Sequence, residues 1–98
     1  MARRKELPPA EREVDLHRKS VAQALTAIEA ELAYCRAGRV SPILVITGRG
    51  AHNPGGRPIL KPAVVDWLRS PKGKGYGVVE VRETPWTEGA LWVRLNWE

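Results

Sequence analysis

At 98 residues, 43% hydrophobic and 28% charged, the chain has the composition of one small globular domain and not of a disordered tail. Its 16 Lys and Arg against 11 Asp and Glu leave a net charge of +5, the sign that suits a polyanionic partner. A single cysteine excludes an internal disulfide, no apolar run nears the roughly 18 residues of a membrane helix, and the MARRKELPPAER start lacks the apolar core of a secretory signal; a cytoplasmic domain without membrane contact is expected.

Residues 1–12 lack periodicity, contain Pro8 and Pro9, and read as a basic extended arm preceding one domain over 13–98. Val14-Asp15-Leu16-His17 alternates apolar and polar residues, the pattern of a short strand that sends Asp15 and His17 to one face. Ser20, with Gln23 three residues on, opens a helix whose apolar stripe is Val21, Leu25, Ile28, Leu32 and Cys35, and Gly38 is placed to end it in a left-handed turn. Ile43 to Thr47 is a β-branched run that predicts a strand buried on both faces. The turn-rich loop Gly48 to Gly56 follows, then a second helix that starts between Arg57 and Lys61, buries Leu60, Val64, Trp67 and Leu68, and stops at Ser70-Pro71.

Lys72 to Gly77 reads as a flexible basic link, Val78 to Arg82 as a third strand, and Leu91 to Leu95 as a last strand with Trp92 and Arg94 on its less buried face. The order β-α-β-α-β-β predicts an α/β, two-layer sandwich: a four-stranded mixed sheet, two helices, two crossovers and a final antiparallel hairpin.

In such sheets ligands sit beyond the carboxyl ends of strands, where loops meet helix N-termini. Two strands end in polar or glycine-rich sequence, so if they are neighbours, His17, the Gly48–Gly50 backbone and His52 converge on one edge. Glycine lets backbone N–H groups approach a phosphate, and Arg49 adds a charged donor. Histidine exchanges protons near neutral pH, and Asp15 could orient His17 or simply start the next helix. Residues 49–74 carry Arg49, Arg57, Lys61, Arg69, Lys72 and Lys74 against Asp66 alone, a local field for phosphates or merely a solvated face. Cys35 and Trp67 read as core. Trp86, beside Pro85, either stacks on a base or covers the sheet edge.

Taken in order, these pieces resemble the Smr domain, the small MutS-related module found alone or at the C-terminus of larger proteins. Val14-Asp15-Leu16-His17 is similar to that family's Leu-Asp-Leu-His signature, and Thr47-Gly48-Arg49-Gly50-Ala51-His52-Asn53-Pro54-Gly55-Gly56 to its Thr-Gly-x-Gly-x-His-Ser-x-x-Gly loop. Leu60 to Leu68 looks like the helix that follows, and Glu88-Gly89-Ala90 like the turn before the last strand. Arg18 stands where a glycine is common, Asn53 for a serine and Lys61 for an arginine, and one glycine precedes Ala90 where the family often has more. The resemblance implies nucleic-acid binding, often with endonuclease activity on DNA or RNA, and carries over Asp15, His17, Gly48, Arg49, Gly50 and His52.

The first reading is therefore an endonuclease. Asp15, His17 and His52 are its catalytic candidates, with Arg18, Gly48, Arg49, Gly50, Arg57, Lys61, Lys72 and Lys74 on phosphate. Carboxylates are too sparse at the expected edge for a two-metal cage, so no cofactor is firmly implied and Mg2+ or Mn2+ would be weakly held. Two other readings stay open: a non-catalytic module that recognises structured or branched DNA or RNA, and a protein-interaction domain using a Trp86 and Trp92 surface. A monomer or weak homodimer is expected.

Overall fold

A computed structural model describes residues 7–48 and 59–98. In chain order these form β1 (Arg12–Asp15), α1 (Val21–Gly38), β2 (Ile43–Ile46), α2 (Leu60–Arg69), α3 (Pro71–Gly75), β3 (Val78–Glu83) and β4 (Ala90–Leu95). The strands make one sheet in the order β1-β2-β4-β3. β1 and β2 are parallel, with Asp15 opposite Ile46, and β4 runs antiparallel to β2 and to β3 on either side of it. Hence β1, β2 and β3 point the same way, and the mixed four-stranded sheet is the expected one.

Local chemistry explains most of these elements. The Ser20 hydroxyl accepts from the Gln23 N–H, and the Gln23 side chain accepts from the Ser20 N–H, both at 3.0 Å, a reciprocal cap that starts α1. Ala24, Ile28, Leu32 and Cys35 are its buried stripe, with Val21 and Leu25 as partly buried flanks. Gly38 remains helical; the left-handed residue is Arg39 (φ 57°), because Val40 packs against the core and bonds back to the Cys35 carbonyl. In α2, Leu60, Val64 and Leu68 face inward and Trp67 is partly buried. Pro62 falls in the first turn, where no intrahelical N–H is needed.

The basic segment after α2 is not a flexible link. Ser70 ends α2 and caps α3: its hydroxyl accepts from the Gly73 N–H at 3.3 Å, with Pro71 at the first helical position. The Ser-Pro pair is a helix-start signal that the lysine and glycine content hid. The described residues thus hold three helices instead of two.

β1 begins at Arg12, within the segment read as an arm, and the Glu11 N–H donates to the Pro42 carbonyl at 2.8 Å. Leu91, Val93 and Leu95 of β4 share one core with Ile43 and Val45 of β2, Val78 and Val81 of β3 and the helix stripes. Trp92 lies on the opposite face of β4, yet it is buried: its indole N–H donates to the Pro8 carbonyl at 2.8 Å. The expected exposure of Trp92 is therefore corrected, and Arg94 alone of that pair is exposed. No helix among the described residues is long and apolar enough to cross a membrane.

Candidate functional site

Strand direction creates one edge where β1, β2 and β3 end and β4 begins. Leu16 extends β1 by one bond, its N–H donating to the Ile46 carbonyl at 2.7 Å, and its side chain is fully buried. That anchor sends its neighbours Asp15 and His17 outward, as period-2 alternation requires. The two side chains meet there: His17 Nδ1 lies 2.6 Å from Asp15 Oδ1, and the same oxygen accepts from the His17 backbone N–H at 3.1 Å. These bonds, the side-chain one foremost, hold the Asp15 carboxyl below the usual carboxylate range. An ionised carboxylate only accepts, so Nδ1 is the donor, and in the neutral ring the lone pair lies on Nε2. Both side chains are about half exposed (49% and 53%), open enough for a macromolecular substrate.

Gly48 stands directly beside this pair. Its φ is +78°, and a Cβ built there would lie 3.1 Å from the His17 Cβ. Gly48 is thus required by its backbone conformation and by the closeness of His17. Its N–H is not free for phosphate: it donates to the Gly89 carbonyl at 3.0 Å, as the Thr47 N–H does at 2.8 Å. This corrects the expectation that the Gly48 amide cradles an anion. The turn before β4 is what holds the β2 end in place, and the only sequence signal for it was the Glu88-Gly89-Ala90 pattern.

Arg18 takes a left-handed conformation (φ 68°) next to His17. It occupies a backbone position that favours glycine and leaves an exposed guanidinium at the edge. Lys61, in the first turn of α2, is also at this end, but its ammonium donates to the Glu83 carboxylate and the Glu88 carbonyl, both at 2.8 Å. Its first job is to tie α2 to the β3–β4 loop, a role not expected from sequence. In that loop Trp86 is 60% exposed, so it is not a lid on the sheet.

Lys72 and Lys74 fall elsewhere. They sit on α3, which leads into the start of β3, at the opposite end of the sheet from His17, and Lys72 lies 3.4 Å from Glu29 of α1. The basic run in the sequence is therefore divided between two ends of the molecule. Arg49, Gly50, His52 and Arg57 lie outside the described residues. Among the described residues no group of three or more histidine, cysteine, aspartate or glutamate side chains converges, so they do not form a cage for Mg2+ or Mn2+.

The mixed four-stranded sheet with its helices is the fold of an Smr-type α/β domain. The Smr domain family model matches residues 14–96, and the chain belongs to that family. Smr domains bind nucleic acids, and some members of the family are nicking endonucleases. The fold is similar to the Smr domain of Thermus thermophilus MutS2, with 27% identity, a TM-score of 0.70, and 88% of this chain and 99% of that one covered. It is also similar to a human small-MutS related domain (30% identity, TM-score 0.61, 85% and 99% covered) and to the Smr domain of NEDD4-binding protein 2 (26%, 0.64, 95% and 94%). No curated protein sequence matches the chain.

Proposed function

We propose that this domain is an endonuclease that nicks or cleaves DNA or RNA, with His17 as its acid/base group. The observation that carries the reading is the Asp15–His17 pair, half-exposed at the edge where Smr-type loops meet. With Nδ1–H donated to Asp15, Nε2 can take the proton of an attacking water or ribose 2′-OH as its oxygen bonds to phosphorus. The P–O bond to the leaving oxygen then breaks, and the imidazolium returns the proton to that oxygen. Asp15 keeps the ring in the productive tautomer and stabilises the cation formed midway, as carboxylates do in other histidine dyads. Arg18 is the described cation best placed to meet the phosphate, and Trp86 offers an exposed ring for a base at the same end. His52, Arg49 and Gly50 belong to the same proposal through the loop that follows Gly48 in sequence.

The test is a cleavage assay of wild type and His17→Ala on supercoiled plasmid and single-stranded RNA, with Mg2+, Mn2+ or EDTA, and binding measured at two salt concentrations. Cleavage that falls at least a hundredfold in the variant while affinity stays within a few-fold is the expected result. Salt-sensitive binding by both proteins with no product from either would make the domain a binding module and remove His17 from any catalytic role.

A further inference from the structure

At the end of the sheet opposite His17, the last turns of α1 and the segments flanking β3 and β4 enclose an open cleft of about 470 Å³, lined by Ala33, Arg36, Ala37, Arg39, Tyr76 and Trp97. We propose that this cleft is a second nucleic-acid site, which holds one nucleotide of a single strand, its base against the aromatic rings and its phosphate on the two arginines. The proposal rests on the nucleic-acid reading of the family and adds a contact surface remote from the His17 edge.

Four observations carry it. First, both rings are held in place before any ligand arrives. The Trp97 indole N–H donates to the Tyr76 carbonyl at 2.8 Å, and the Tyr76 hydroxyl donates to Glu29 at 2.8 Å. Gly77 (φ +105°) makes room for the indole: a Cβ there would come within 2.5 Å of Trp97 Nε1. A rigid aromatic edge loses little entropy on binding, which is how base-stacking platforms work.

Second, the charge is unspent. Among the described residues no carboxylate pairs with Arg36 or Arg39, whereas Arg12, Lys61, Lys72, Arg82 and Arg94 each have one. Glu29, the acid bonded to Tyr76, also faces Lys72. Third, the Arg39 guanidinium lies 5.8 Å from the Trp97 ring centroid, so cation and ring can act on one nucleotide. Fourth, Ala33 and Ala37 are small where longer side chains would fill the cleft, and its volume falls in the roughly 300–1,000 Å³ range of ligand sites. A guanidinium pair beside two fixed rings is the chemistry of a phosphate joined to a base. Six-residue β4 separates the two ends by roughly 20 Å, so one flexible strand can occupy both.

The experiment compares wild type, Arg36→Glu/Arg39→Glu and a control, Arg82→Glu, for binding of a fluorescent oligothymidylate across a salt series. All three substitutions are at exposed positions, and circular dichroism checks the fold. The double variant should bind roughly tenfold more weakly than wild type, and its log–log salt slope should be shallower by about 0.7, for one phosphate on a single strand. The control should keep the wild-type slope. In a parallel NMR titration with adenosine monophosphate, the Trp97 indole N–H resonance should move and that of Trp92 should not, while inorganic phosphate should move it less. Tight wild-type binding with an unchanged slope in the double variant, or an unmoved Trp97 resonance, overturns the second site and leaves the His17 reading intact. No oligonucleotide binding by wild type at low salt overturns the second site, while the plasmid and RNA assay decides the His17 reading separately.

Discussion

Replacing Gly48 with alanine tests the contact that joins the fold to the site. An L-residue at φ +78° pays about 1–2 kcal/mol for the left-handed conformation. The smaller backbone freedom of alanine in the unfolded chain returns about 0.4–1 kcal/mol of that. The new Cβ would sit 3.1 Å from the His17 Cβ, tighter than van der Waals contact allows. The strand end cannot easily yield, because the Gly48 and Thr47 N–H groups are both pinned to the Gly89 carbonyl. Crowding of this kind costs roughly 1–3 kcal/mol, so a net loss of about 3 kcal/mol follows. For a domain of this size that lowers Tm by roughly 12–24 °C.

Urea and thermal unfolding followed by circular dichroism, with an unchanged m-value, would measure it. Whatever part of the strain is relieved by moving His17 should also break its bond to Asp15 and reduce nicking more than binding. A Gly48→Ala protein within about 0.5 kcal/mol of wild type, still with full activity, would refute the argument that His17 needs the missing side chain.

Asp15→Asn removes the negative charge and offers an amide N–H that favours the wrong His17 tautomer, and it should lower cleavage by about a hundredfold or more with little change in affinity, as measured by single-turnover nicking. Because the folded-state pKa of Asp15 is depressed, its small contribution to stability is present above the unfolded value and fades as pH falls through the lower folded one. Wild type and Asp15→Asn should therefore unfold alike at the acid end of a urea series and differ toward neutrality. Lys61→Met removes two bonds to the β3–β4 loop and should cost about 1–2 kcal/mol in urea unfolding, discounted because Glu83 is largely exposed. The Cys35 thiol is pushed up to about 11, chiefly by burial, so a thiol reagent should label it only after unfolding. Its raised folded value means stability is full below the unfolded pKa and declines as pH rises from about 9 to 11; Cys35→Ala should show less of that decline.

Much of this protein was readable along the chain, because the signals act over a few residues. The Ser20–Gln23 cap, the α1 stripe, the β2 strand and the outward alternation of Asp15 and His17 each depend on local spacing, and the structure shows each of them, although β2 is fully buried on one face only, through Ile43 and Val45, with Leu44 and Ile46 partly exposed. The misreadings have the same origin. The lysines and glycines of 72–75 look like a linker by composition, and only the double use of Ser70 as the end of one helix and the cap of the next makes them helical. Trp92 sits on the face that alternation assigns it, but its burial depends on Pro8, which lies 84 residues away in sequence.

What the sequence determined by itself is the order of the four strands and the two longer helices, most of the apolar faces and the residue types that reach the strand ends. Charge, by contrast, acts through space. Lys61 and Lys72 are close in sequence, yet the course of α2 from the site edge to the far end places one beside Glu83 and the other beside Glu29. The insertion of β4 between β2 and β3 brings the Gly89 carbonyl to the Gly48 N–H, which turns an expected phosphate donor into a structural clasp. It also sets Trp97 beside Arg39, more than half the chain away. Strand order decides these meetings, and strand order follows from burying all the apolar faces at once, a condition that no single stretch of sequence contains.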